Sequence, residues 1–323
     1  MFCFLIAFWM LKNEQIPVII IKDTIINYDK ALDADILHYQ PKTYELMVFK
    51  NNIINANNKN HHIVLFGNEV SSASNRMLDG LIITGNKIVW KGTNILDSNE
   101  GILVGYSINA LIKYNYIQNS PYGTPLKSSG YTNDSGGIAY NVYCGSFKVG
   151  AGAKGINGSK FYNNTFYNNC ISGEGVIGSI YINSNNDVSA SESSLSSKNC
   201  RIYNNIFYTR HQVPNIYCDG PSLQGLQCDY NVYYCEDGEP VFRIAGETIS
   251  FTKWQGMGYD KHSKIINPQF KDTQTLIPTI PLPYGINLGI GWKMGLAPTA
   301  QWGGGDPILK SQEAIWYVGA YIY

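Results

Sequence analysis

The sequence predicts an all-β chain of stacked repeats, a parallel β-helix, and three observations carry that expectation. First, Phe161-Tyr162-Asn163-Asn164-Thr165-Phe166 returns as Ile202-Tyr203-Asn204-Asn205-Ile206-Phe207. Looser copies surround Asn52, Asn86, Asn115, Asn141 and Asn231. One asparagine is therefore common to seven copies, at intervals of 34, 29, 26, 23, 41 and 26 residues. Such spacings are those of stacked supersecondary units, the two longest needing inserted loops. Second, an apolar residue stands three before and another two after each of these asparagines. Positions five apart lie on opposite faces of an unbroken strand, so both turn inward only if the chain bends between them. Asparagine tolerates the left-handed conformation such a bend requires, and stacked asparagines can hydrogen-bond as a ladder. Third, 32 Gly and 24 Tyr with only 15% charged residues fit short strands and many turns rather than a helical bundle.

In chain order, residues 1–48 read as an N-terminal cap or first incomplete coils. Met1 to Leu11 is apolar but shorter than the roughly 20 residues that span a bilayer. It lacks a basic leader, so it reads as an eroded signal or a first strand. Pro17 to Ile21 reads as a strand, and Asp29 to Leu37 as a short helix or capping loop. The β-helix proper spans 49–242, interrupted by an inserted loop at 171–199 with a serine-rich stretch. Residues 243–323, with a short helix at Ser250 to Gln255 and a Pro- and Gly-rich tail, read as the C-terminal cap. The tryptophans are expected to plug the ends, and Tyr114, Tyr140, Tyr162, Tyr203 and Tyr230, near the repeating asparagine, to form a structural stack.

Lysine plus arginine equals aspartate plus glutamate at 24 each. A neutral chain has no electrostatic footprint for nucleic acid. The seven cysteines form no CxxC pair, and the odd count disfavours a full disulfide framework. Buried free thiols, or one disulfide among Cys218, Cys228 and Cys235, are the two readings. The five histidines have no metal-ligand spacing, and no clustered carboxylates support a Ca²⁺ site, so no cofactor is expected. No GxSxG, HExxH or P-loop motif occurs.

The repeats resemble those of right-handed parallel β-helix proteins, the architecture of pectate-lyase-like enzymes and phage tailspikes. Ser263 to Phe270, then Leu288-Gly289 and the closing Val318-Gly319-Ala320-Tyr321, resemble the end of secreted β-helix proteins of gut Bacteroidetes and their phages. The resemblance covers roughly 49–323 and is specific for architecture rather than activity. It implies a protein that binds, and in the enzymes cleaves, a polysaccharide along one sheet. A lyase of this kind needs a base and a positive group beside a uronate carboxylate.

Counting ten residues back from the corner asparagines gives Gly105 and Lys154, and Lys127 ends the matching strand of the intervening coil. Lys127 and Lys154 are then expected one above the other, roughly 5 Å apart, as the catalytic pair with an anionic ligand between them. Against this stands the ordinary role of a lysine at a strand end, which is to be solvated. Glu174, with Asp187, on the inserted loop, Asp219 at the same level and His211 at a coil end are the substrate-binding candidates; each is also explained by solvation or a turn. Two functions follow: an extracellular carbohydrate-active protein of lyase or glycoside hydrolase type, or a noncatalytic tailspike of the virion, expected to be a homotrimer. No membrane span is expected in either.

Overall fold

The computed structural model describes residues 18–21, 24–28, 32–34, 44–45, 47–56, 64–66, 78–92, 100–105, 107–127, 136–171, 177–185, 196–303 and 305–323. Three long sheets of eight, nine and nine strands contain nearly all the regular structure. Within them strands pair in parallel with their counterparts on adjacent layers, an arrangement compatible with a β-helix; the exception is the edge strand Glu247–Ser250, which pairs antiparallel with Val241–Ile244. Sheet A holds the strands before each repeating asparagine, such as Leu111–Lys113, Gly137–Ala139 and Lys160–Tyr162. Sheet B holds those after it, such as Tyr116–Gln118, Val142–Cys144 and Thr165–Tyr167. Sheet C holds the third strand of each layer, including Tyr122–Lys127, Val149–Lys154, Gly178–Asn183 and Pro214–Cys218. The sheets begin a layer before Phe49, with Val18–Ile21 in A, Thr24–Tyr28 in B and Leu32–Ala34 in C. Leu32–Ala34, expected as helix or loop, is thus a strand paired in parallel with Val64–Phe66.

The seven asparagines form one column. From Asn52 to Asn231 each side-chain Nδ2 donates to the Oδ1 of the next, at 2.9, 2.9, 2.9, 3.1, 3.0 and 3.1 Å. Each backbone N–H donates to the same Oδ1. All seven are fully buried or nearly so. The bend itself sits one residue earlier than the sequence reading placed it. The left-handed residues are Asn51, Gly85, Tyr114, Tyr140, Asn163, Asn204 and Tyr230. Tyrosine resists that conformation by about 1–2 kcal/mol, so the strain at three corners is sustained by the bonds of the following asparagine. The bend does what the spacing required: the apolar residues three before and two after every asparagine, from Phe49 and Ile54 to Cys228 and Tyr233, are buried in one core. Within it Tyr143, Phe166, Phe207 and Tyr233 stack nearly parallel, 4.9–5.1 Å between centroids.

The column ends on an acceptor. Asn231 Nδ2 donates to Asp260 Oδ1 at 2.9 Å, and its backbone N–H to Ser263 Oγ at 2.7 Å. The buried Asp260 carboxylate also accepts from Tyr233, Trp254 and Cys228. The expected short helix is Phe251–Gly256, with Ser250 as its N-cap, and it lays Trp254 against Phe242 at 4.9 Å. This segment covers the last layer of the core.

The remaining tail runs back along the outside. Phe270 packs on Tyr167 and Tyr208, and Trp292 on Tyr162. Trp302 packs on Tyr116 and donates to the Tyr114 carbonyl at 2.7 Å. Asp306 reaches Asn51 Nδ2 at 2.8 Å. Lys113, buried beneath Trp292, donates to the Gly291 carbonyl, and burial pushes its pKa down to about 8. Trp90, Trp292 and Trp302 are therefore not end plugs, whereas Trp254 is. Trp90 is in the core, while Trp292 and Trp302 hold this strap against sheets A and B. The tyrosines near the asparagine likewise form pairs rather than one stack: Tyr114 with Tyr140, and Tyr162 with Tyr203.

Six described cysteines are buried and unbridged, which removes the disulfide among Cys218, Cys228 and Cys235. Burial pushes each thiol up, Cys144 to about 11 and Cys200 to about 12.

Two outcomes follow. Asn164→Ala leaves two buried donors of Asn141 unmatched and should destabilise the protein by about 3–5 kcal/mol in urea unfolding. The thiols set the second. Their folded pKa values lie above the unfolded value of about 8.5, so their contribution is complete below that pH and lost as pH rises through the folded values. Under reducing conditions the unfolding free energy from urea titration should fall between pH 7 and roughly 9.5, by about 1 kcal/mol for each fully buried thiol. Cys170→Ala should make that decline shallower.

Candidate functional site on the outer face of sheet C

The strap contacts described above fall on sheets A and B, and among the described residues sheet C is the long face they do not reach. Side chains alternate along its strands. Leu126, Ala153, Ile182 and Cys218 belong to the core, so residues 127, 154 and 183 turn outward. The expected register is present: Lys127 pairs directly with Lys154, flanked by Gly105 before and Asn183 after. Strand spacing places the two lysine Cα atoms roughly 5 Å apart, and both side chains are half-buried. This part of the face thus carries two lysines on adjacent layers.

Two residues back along each strand lies a second outward file, Pro125, Gly152, Tyr181, Tyr217 and Arg243. The buried Tyr181 ring lies flat over Gly152, where a Cβ would stand 2.0 Å from the ring. Tyr217 is half-exposed, and the Arg243 guanidinium lies 5.8 Å from its ring centroid. An aromatic face with a stacked cation suits the apolar face and polar rim of a sugar ring.

Asp219 stands one layer beyond Asn183 and two beyond Lys154 in the same file, but its carboxylate is engaged. Oδ2 accepts from the Ser184 N–H at 2.7 Å and Oδ1 from the Ser222 N–H at 3.0 Å. It holds the turn into Pro221–Leu223. His211 is not brought to this site. It precedes Pro214–Cys218 while Asp219 follows it, roughly 16 Å apart along the strand. His211 instead meets Asp237 at 2.8 Å on an exposed turn, beside Arg210 and Glu236. Glu174 and Asp187 lie outside the described residues. Among the described residues, no group of three or more His, Cys, Asp or Glu could hold a metal ion, and no helix is long and apolar enough to cross a membrane.

Sequence reasoning missed Tyr181, Tyr217 and Arg243. Their intervals of 36 and 26 residues were available as a signal, because they lie within the range of the repeat. Comparison with known proteins adds no constraint: no family model matches the chain, and neither a curated protein nor a solved structure matches it.

The close approach at Gly152 gives a sharp test of the face. Gly152→Ala should force the Tyr181 ring off the sheet and destabilise by about 1–3 kcal/mol. Gly256→Ala, where a Cβ meets nothing within 4 Å, should change stability by less than about 0.5 kcal/mol. Urea midpoints at unchanged slope are the measurement.

Proposed function

We propose that this chain is a right-handed parallel β-helix protein of extracellular carbohydrate-active type, and that it binds an anionic polysaccharide along the outer face of sheet C. The single observation that carries the reading is the register of Lys127 on Lys154, with Tyr217 and Arg243 on later layers of the same face. A polymer laid along the stack meets one position of each file per strand spacing, about 4.8 Å. Its carboxylates or sulfates lie near the lysines and its rings near Tyr217.

Binding is supported further than cleavage. A lyase would use one lysine as base and the other to neutralise the uronate carboxylate. Nearest in the lysine file, Asp219 already serves two backbone amides, so it offers no free carboxylate for glycoside hydrolysis.

Calorimetric titration with polygalacturonate, alginate and chondroitin sulfate tests the reading. At least one should bind, more weakly as salt rises through roughly 0.5 M. The pair Lys127→Gln, Lys154→Gln should weaken that binding about tenfold or more. Appearance of the ultraviolet absorbance of an unsaturated uronate would assign lyase activity. No binding to any acidic glycan, or binding indifferent to both lysines, would overturn the proposal.

A further inference from the structure

A second cluster of titratable side chains lies on sheet A, at its last strand, Gln227–Asp229. His262, on the loop that follows the closing helix, is fixed at three points. Its backbone N–H donates to Asp229 Oδ1 at 2.7 Å, and its ring Nδ1 meets Asp229 Oδ2 at 2.7 Å. Its ring stacks on Tyr230, 4.8 Å between centroids and 11° from parallel. The Asp229 side chain is only 18% exposed, and Oδ1 also accepts from the Tyr230 N–H. The imidazole itself is 60% exposed.

Tyr230 belongs to the corner column, and its place there is informative. Asn51, Tyr114, Tyr140, Asn163 and Asn204 each hydrogen-bond to the strap. Tyr230 takes the same strained conformation, φ 57°, but lies against His262 instead. The fold thus sustains a left-handed tyrosine at a corner where it supports an imidazole rather than the strap.

A carboxylate opposite Nδ1 selects the tautomer with hydrogen on Nδ1, which leaves the Nε2 lone pair for another partner. That is the arrangement of a positioned general base. We propose that His262, positioned by Asp229, is a proton-transfer site for hydrolysis of acyl esters, such as acyl groups carried on sugar hydroxyls. Water attacks the ester carbonyl as Nε2 takes its proton. The tetrahedral intermediate then expels the alcohol, which leaves with the proton returned from the imidazolium, and the carboxylic acid is the second product. No co-reactant is needed. Gln227, Tyr203 and Arg201 occupy the adjoining outward positions of sheet A; Tyr203 donates to Gln227 Oε1 at 3.4 Å, which orients the Gln227 amide N–H groups toward the acyl-bearing unit. The site is independent of the sheet C reading and stands if that reading fails.

The second histidine pair supplies the control. His211 Nδ1 also meets a carboxylate, Asp237 at 2.8 Å, with the His211 side chain 80% exposed. Among the described residues it stacks on no ring, and Asp237 accepts from Cys235 rather than from the histidine backbone. The test is turnover of p-nitrophenyl acetate by the full chain from pH 5 to 9, with charged and titratable neighbours Asp229, Tyr230, Lys261, Tyr203 and Arg201 unchanged. The wild-type protein should release p-nitrophenol faster than buffer alone. His262→Gln should lower that rate by about tenfold or more, and His211→Gln by less than twofold. Asp229→Asn should lower it and shift the midpoint of the pH profile, which a purely structural role would not do. A His262→Gln rate equal to wild type, or an equal loss in His211→Gln, would overturn the proposal. The exposed His262 ring can be exchanged without opening the core, so the test does not depend on whether Asp229→Asn folds.

Discussion

Seven successive layers of this chain each place a donor and an acceptor at the same buried point. A primary amide is the side chain that satisfies this condition by itself, since it offers NH₂ and C=O from one planar group. Asparagine is short enough to do so from the corner without entering the core. Its Oδ1 takes both the side-chain and backbone N–H of the preceding layer, while its own donors pass to the next. The column needs a different residue where it stops. Asp260 and Ser263 receive the last donors, and the Asp260 carboxylate has no N–H with which to continue. Tyr233, Trp254 and Cys228 supply the donors that a buried carboxylate requires.

The functional geometry descends from that column. Fixing the corner fixes which residues of the flanking strands face inward, and inward residues of sheets A and B interlock with those of sheet C. Register on sheet C then follows, and with it the placement of Lys154 over Lys127 and of Tyr217 beyond Tyr181. The strap decides which surfaces remain for chemistry. By holding the outer corner of sheets A and B from Tyr208 to Asn51, it leaves sheet C and the last strand of sheet A. Those two surfaces carry the lysine pair and the Asp229–His262 pair.

The repeat, the inward apolar pairs and the lysine register were all legible, because each depends on spacing within one layer or between adjacent layers. The corner was misread by one position. Preference tables point to asparagine for a left-handed residue, whereas three of the seven corners use tyrosine and one glycine. Hydrogen bonding of the neighbour, not intrinsic preference, decides the conformation there. The strap was illegible for another reason. It has no periodicity, and its partners lie up to 255 residues away, so no local pattern encodes its path. The tryptophans were assigned to the ends because large apolar residues in a tail suggest a plug, yet Trp292 and Trp302 cover a side. The Asp229–His262 pair left a usable trace. Its separation of 33 residues lies within the repeat spacing, but it joins a strand to a loop beyond the last clear copy.

Exchange of the asparagine side-chain amides with deuterated water measures the column directly. In protein carrying ¹⁵N-asparagine, the Nδ2 protons of Asn86, Asn115, Asn141, Asn164 and Asn205, each buried and bonded to the next layer, should exchange only with opening of the sheets and persist together for hours. Exchange of these amides at the rate of exposed asparagines such as Asn287 would contradict the account.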